Sequence, residues 1–327
     1  MLSKASAWLE RAAFKPDSLS DDLVTMGAFL PPVAAALLLF RLPALEMLGI
    51  AVAIGALGHA GARLMRQRLS GSPIFPALIG AGLVGAGSPV VWAAAIAVAA
   101  VALELVRARL LPGMRVQTGL LAYVVVLLGS GDAPAVYLQA ITLNAGAEPI
   151  RLWLGYFDAS GAPLDAVRLY VGNVAGPVLA TSLLAVAIGS AWLWYARRLS
   201  AAAVAGALVG ALLPAMLMRW DAVFQLDSGP LWFACALLLA DTRMLPRPRH
   251  LRVLMGFAAG LTAVAFRTRG YGIEGALTAV LAIQLAVALT HGAVWLLLEQ
   301  EKVRESLRRL RTRSSLQRVS RSKASGA

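Results

Sequence analysis

In a strongly apolar chain, the positions where chemistry is possible are few: Ser228, Gly229, Asp241, Thr242, Arg267 and Glu274. They lie within or at the edges of long apolar runs. An ionisable group placed there is costly to desolvate and is a functional hypothesis by default. Carboxylates and guanidiniums in such surroundings can hold a proton, a cation or the polar edge of a ligand. Asp241 stands two residues before Arg243, and its stronger reading is an ion pair snorkelling to the membrane surface. Glu274 has Arg267 and Arg269 as nearby partners in sequence, and that pairing would serve equally to grip a ligand. Trp232 and Phe233 are placed to pack on a planar ring, although such residues are more often ordinary helix packing.

Other chemistries find no support. There is no Ser/His/Asp set at recognisable spacing, no His-x-x-x-His, no P-loop and no dinucleotide fingerprint. His59 and His291 stand near the ends of apolar runs and His250 in a basic loop, too scattered for a metal site. The sole cysteine, Cys235, rules out an intramolecular disulfide and any Cys-x-x-Cys cluster, and reads as a small core residue.

The elements that must position these residues are membrane spans. The 327 residues are 59% hydrophobic and 14% charged, with a mean hydropathy of +0.73. A soluble domain carries about 25% charged residues. Apolar runs broken by charge, Gly and Pro place spans near 24–40, 44–61, 73–87, 89–106 and 117–130, then 175–195, 201–218, 230–242, 251–266 and 275–298. The fold class is therefore an all-α polytopic membrane protein of about ten transmembrane helices. The division is a leader at 1–23, five spans over 24–130, a polar connection over 131–174, five spans over 175–298, and a basic tail over 299–327. The leader lacks the apolar core of a signal peptide, and Trp8, Leu9, Ala12 and Ala13 suit a short interfacial helix as well as a solvated segment. With both termini inside, the inner segments carry 24 of the 30 Lys and Arg residues. That asymmetry is the positive-inside pattern, so the net charge of +13 is an orientation signal with a lipid-attracted tail, not a nucleic-acid footprint.

The two halves echo each other. "LSGSPIFPALIGAGL" resembles "LDSGPLWFACALLLA", with Gly71 and Gly229 158 positions apart, and Gly119 and Gly275 are 156 apart. Two copies of an odd number of spans lie in the membrane with opposite orientation, which gives a 5+5 inverted repeat. The third and eighth spans are short and rich in Gly and Pro. Paired short segments point to a central binding site, and tight packing through small residues is the equal alternative.

"FQLDSGPLWFACALLLADTRMLP" and "GFAAGLTAVAFRTRGYGIEGALTAVLAIQ" resemble the C-terminal half of one membrane family, RnfD/NqrB. Its members are membrane subunits of Rnf-type electron transport complexes and of the sodium-translocating NADH:quinone reductase. That family carries a Leu-Ser-Gly-Gly opening, an Ala-Thr-Asp-Pro exit and an Arg-Thr/Val…Pro-Glu-Gly segment. Ser228-Gly229, Arg267-Thr268 and Glu274-Gly275 fit, and Ala240-Asp241 fits loosely. "SPIFPALIGAGLV" and "LLAYVVVLLGS" extend the likeness through most of the chain. The resemblance implies a urea-transporter-like inverted repeat and electron transfer coupled to ion movement.

It also implies a role for "YFDASGAPLDAV" (156–167), the polar stretch of the longest loop. There the family carries a threonine whose hydroxyl takes FMN through a phosphoester. Asp158, Ser160, Gly161, Ala162, Pro163 and Leu164 follow the pattern, but the threonine is missing, and Asp158–Ser160 is one residue short. Ala162-Pro163 offers no hydroxyl, and Ser160 is an offset substitute. The family's Asn-rich segment before the fifth span has likewise become "MRVQTG". The resemblance thus points to a divergent subunit of a membrane oxidoreductase with noncovalent FMN or riboflavin rather than covalent FMN. It would be lined by Ser228, Gly229, Arg267 and Glu274, with Ser160 as a further candidate. The partners implied are the lipid bilayer and other membrane subunits of an electron transport complex. The localisation implied is the bacterial inner membrane, multi-pass, with both termini cytoplasmic. A small-solute transporter of the same fold and a noncatalytic scaffold are the alternatives.

Overall fold

The computed structural model describes residues 19–65, 71–110, 115–131, 133–155, 166–227 and 230–290. Each of the ten expected spans contains a helix. In chain order these are α1 (Leu19–Phe40), α2 (Leu42–Leu64), α3 (Ile74–Gly82), α4 (Val90–Leu110) and α5 (Thr118–Ser130). Two short loop helices follow, α6 (Pro149–Gly155) and α7 (Ala166–Val171), then α8 (Leu183–Tyr195), α9 (Ala201–Leu217) and the short α10 (Ala222–Asp227). The chain continues through α11 (Pro230–Leu239), α12 (Arg249–Arg267) and α13 (Ile273–Thr290). Among the described residues there is no strand, only isolated β-bridges. The helices α1, α2, α4 and α13 are long and apolar enough to cross a bilayer, and α5, α8, α9 and α11 are shorter apolar helices. Their outer surfaces present Leu38, Leu57, Leu128 and Leu213, as expected where the solvent is hydrocarbon rather than water. The protein is a multi-helix membrane protein.

Small residues set the packing. Gly206 and Gly210 of α9 face Gly256 and Gly260 of α12, two Gly-x-x-x-Gly pairs interlocked. A Cβ on Gly206 would lie 2.2 Å from the Val253 carbonyl oxygen, and one on Gly256 2.0 Å from that of Ala203. Backbone-to-backbone approach of this kind maximises dispersion contact where no hydrophobic effect operates between helices. The short helix α3 is buried from Phe75 to Gly82. Its carbonyl at Pro76 would be 2.2 Å from a Cβ on Gly119, at the start of α5. The other short helix, α11, changes from α to π geometry over Phe233–Leu239, and π segments of this kind recur at functional sites. Phe233 packs edge-on against Phe29, ring centroids 5.8 Å apart, so it belongs to the core rather than to a ligand platform.

The sixth span starts later than its hydropathy suggests. Residues 175–182 are apolar and mostly buried yet non-helical, and α8 begins only after Ser182, whose hydroxyl accepts from the Ala185 N–H at 3.2 Å. Gly176-Pro177 breaks the helix there, and the strip instead pairs with the end of α3: Val178 N–H donates to Val84 O and Leu179 N–H to Gly82 O.

Hydrogen bonds between connections sort into two sets. On one face Thr242 N–H donates to Arg198 O and Ser200 N–H to Ala240 O. On the other, Gly85 N–H donates to Pro134 O, Gly87 N–H to Val136 O and Ile141 N–H to Leu39 O. The first is the face that carries the Arg-rich connections, here termed the basic face. The second carries the 131–174 connection and is termed the loop face. Arg41 and Arg197, which follow α1 and α8, share the rare positive φ (53° and 55°) and stand 156 positions apart. That is the spacing of Gly119 and Gly275.

Candidate functional site

On the loop face, two carboxylates from distant parts of the chain converge. Pro149 opens α6, and Glu148 just before it turns its carboxylate onto the helix start: Oε2 accepts from the Ile150 N–H at 3.0 Å and Oε1 from the Arg151 N–H at 3.1 Å. This is N-capping by an anion, favoured by the exposed N–H groups of a helix start. Glu148 Oε1 also accepts from the Ile273 N–H at 3.3 Å, which ties the loop to the start of α13.

One residue further, Glu274 Oε1 accepts from the Tyr137 hydroxyl at 3.1 Å and from Arg151 Nη2 at 3.5 Å. Its other oxygen, Oε2, is buried without a hydrogen-bond partner. Gly272 passes between the two acids: a Cβ there would be 1.9 Å from Glu148 Oε1 and 3.1 Å from Glu274 Oε2. Only a residue without a side chain allows both carboxylates to crowd one point. A water-sized cavity lies against Glu148, lined also by Thr181, Pro230 and Ile273.

The electrostatics follow from burial. Glu148 is 1% exposed. Burial, and then the neighbouring Glu274 carboxylate, push its carboxyl up from the usual 4.5 to about 7, against the pull of the Ile150 N–H and Arg151. Burial also raises the Tyr137 phenol well above its usual range, with the Tyr123 and Glu274 groups adding to it. Tyr137 is therefore a hydrogen-bond donor at any physiological pH. What this arrangement can do is hold a proton on Glu148, beside the Glu274 carboxylate, and exchange it near neutrality.

The sequence-predicted residues divide as follows. Glu274 is at the centre of this cluster, but the structure pairs it with Arg151 and Tyr137 of the polar connection. Arg267, suggested by sequence as its partner, is 0% exposed and donates from Nη1 to the Gln225 side-chain and backbone oxygens. It sits close enough to act on Glu148 through space. Ser228, Gly229 and Ser160 lie outside the described residues. Glu148, Tyr137 and Arg151 escaped sequence reading because nothing periodic marks a loop residue. The available signal was an acid directly before a proline that starts a helix.

Asp241 anchors a second cluster, on the basic face. The ion pair with Arg243 is present, Nη2 to Oδ2 at 3.1 Å, but it does not snorkel: Asp241 is 0% exposed. Arg198, brought in from the connection before α9, donates to Oδ1 at 3.1 Å, and the Thr25 hydroxyl bonds the same assembly. The Arg198–Thr242 and Ser200–Ala240 backbone bonds clamp the two connections together, which is why the pair is sealed inside rather than turned outward. Beside it, Glu104 of α4 is held by Arg107, Nη2 to Oε1 at 2.6 Å, and by the Thr118 hydroxyl at 2.9 Å.

Among the described residues no group of three or more His, Cys, Asp and Glu is placed to hold a metal ion. In comparison with known proteins, a family model described as the NQR2, RnfD, RnfE family matches residues 20–294. No curated protein matches the chain.

Proposed function

The chain belongs to the NQR2, RnfD, RnfE family, whose members are membrane subunits of electron transport complexes, and from that premise we propose that it couples electron transfer to ion movement without covalent FMN. It does so in a bacterial inner membrane, with both termini cytoplasmic and with neighbouring membrane subunits that deliver and accept electrons. The observation that carries the coupling half is the Glu148–Glu274 pair. A buried carboxyl that titrates near neutrality, set between a half-exposed arginine (Arg151) and a core helix, is a site where a proton can be taken up and released.

A bound flavin would supply the one- and two-electron chemistry. The described residues of this cluster do not fit its ring. Arg267 and Glu274 are engaged with Gln225, Tyr137 and Arg151, and the cavity beside Glu148 is water-sized, far too small for an isoalloxazine. No step is therefore routed through a flavin at this cluster. Phosphoester attachment would need a hydroxyl where Ala162-Pro163 stands.

The test is flavin content of the protein purified from membranes that also express a flavin transferase, measured before and after acid precipitation. Released flavin, near one per chain, is the expected result. Flavin that stays with the precipitate would overturn the absence of covalent attachment and point to Ser160 or another hydroxyl. No flavin in either fraction would favour the second reading, a small-solute transporter of the same fold, which the missing acceptor hydroxyl also supports.

A further inference from the structure

Within the loop-face cluster, Arg151 differs from the acids it serves. Its side chain is 48% exposed, against 0% for Glu148 and 6% for Glu274. From the first turn of α6 it reaches both, Nε standing 3.8 Å from Glu148 Oε1 and Nη2 3.5 Å from Glu274 Oε1. Both separations are long for a charge-assisted hydrogen bond, which is about 2.7–2.9 Å. On the basic face the Arg107–Glu104 pair closes to 2.6 Å. Arg151 holds its acids loosely and from the water side.

Other charged and titratable groups that act on Glu148 are held in place. Tyr137 is buried and donates to Glu274 at 3.1 Å, which fixes both groups. Arg267 acts from the end of α12, where it is buried and donates to Gln225. Glu148 itself is pinned by the backbone N–H groups of Ile150, Arg151 and Ile273, none of which depends on the Arg151 side chain. A positive group beside a carboxyl favours its ionised form, and a neighbouring carboxylate favours the protonated one. Arg151 acts on Glu148 in the first sense and Glu274 in the second. Arg151, on the water side, has room to move, and its charge opposes the proton.

Building on the proposed proton exchange at Glu148, we propose that the Arg151 guanidinium and a proton are alternative counter-charges of the Glu148–Glu274 pair. With the guanidinium seated, the ionised form of Glu148 is favoured. When Arg151 turns out to loop-face water, a proton passes from that water to the Glu148 carboxylate and the O–H bond forms. When it returns, the O–H bond breaks and the proton leaves to the same water. Arg151 is a positioning residue in this scheme. Linkage makes the effect reciprocal: as the arginine lowers proton affinity, so protonation loosens the seating of the arginine.

The experiment is an infrared carboxyl titration of the full chain in neutral detergent, with Glu148→Gln identifying the Glu148 band. It is run on the unaltered protein, Arg151→Gln, Arg151→Lys and Arg249→Gln, each at low and high salt. Arg151→Gln is expected to raise the midpoint by about one pH unit, the low end for loss of an opposite charge because Arg151 is half-exposed. Arg151→Lys restores most of the original midpoint. Salt screens an exposed charge, so it raises the midpoint of the unaltered protein and moves that of Arg151→Gln less. Arg249→Gln, an exposed charge removed from the start of α12, leaves the midpoint unchanged. A midpoint unmoved by Arg151→Gln, or moved equally by Arg151→Gln and Arg151→Lys, overturns the proposal and leaves the proton site standing. A Glu148 band that does not titrate near neutrality in the unaltered protein overturns the proton site, and the arginine's part with it. The salt dependence of the unaltered protein keeps the test decisive if Arg151→Gln does not fold.

Discussion

The basic-face and loop-face clusters occupy comparable places and carry opposite chemistry. Each forms where the chain enters a helix, α5 or α13. Thr118 and Glu274 stand 156 positions apart, the spacing of Arg41 and Arg197. Thr118 donates to Glu104, which an arginine already neutralises; Glu274 accepts from Tyr137 and shares a half-exposed arginine with a second acid. One cluster surrounds its carboxylates with guanidiniums and seals them. The other crowds two carboxylates around a glycine and leaves one oxygen unsatisfied. The lesson is that similar backbone settings are given different tasks by the charge balance of the side chains. The sealed pairs are fixed parts of the structure, whereas Glu148, crowded by Glu274, is poised to change protonation.

The comparison can be broken by neutralising one acid in each cluster. Asp241→Asn removes the carboxylate that Arg198 and Arg243 share inside the protein, and breaking a buried pair in this way costs about 3–5 kcal/mol. Thermal unfolding should show it as a large drop in Tm or as loss of folded protein. Glu274→Gln should cost about 1 kcal/mol or less, because Arg151, 48% exposed, can turn to water. Equal losses in the two variants would remove the distinction between sealed and poised acids.

Gly272→Ala sharpens the contrast at the crowded pair. Its methyl would collide with Glu148 Oε1 and push the carboxylates apart. Overpacking of this kind costs about 1–3 kcal/mol. The diagnostic is that Glu148 should then titrate closer to an ordinary carboxyl, since both its burial and its neighbour are relaxed. An unchanged titration would mean that Gly272 is only a turn residue.

Much of the fold was legible because hydrophobic runs report burial in lipid directly. All ten spans contain helices, and the shortness of α3 and α11 followed from their Gly and Pro content. Hydropathy reports burial, however, and not helicity, so residues 175–182 read as part of a span although Gly176-Pro177 turns them into a packed irregular strip. The site was half legible. Glu274 and Arg267 stood out as ionisable groups at span ends, and the motif around them named the family. Their partners did not, because Glu148 meets Ile273 across 125 positions and Tyr137 meets Glu274 across 137. Asp241 reads as half of a surface pair because Arg243 is its neighbour in sequence, and only the fold reveals Arg198 closing the other side.

The claim at the centre of this account is that Glu148 of the loop-face pair holds a proton near neutral pH, and infrared spectroscopy of the purified protein across a pH titration tests it directly. The expected result is a protonated-carboxyl C=O band that disappears with a midpoint about 7 and is absent in Glu148→Gln. Stability should move in step. Glu148 titrates higher in the folded chain than its usual 4.5, so the folded state keeps a proton that the unfolded state has released. The resulting contribution is complete below 4.5 and is lost as the pH rises to about 7. Glu148→Gln should flatten that slope. A carboxyl band gone by about pH 5 in the unaltered protein, near where an ordinary glutamate would lose it, with no difference in Glu148→Gln, would contradict the claim.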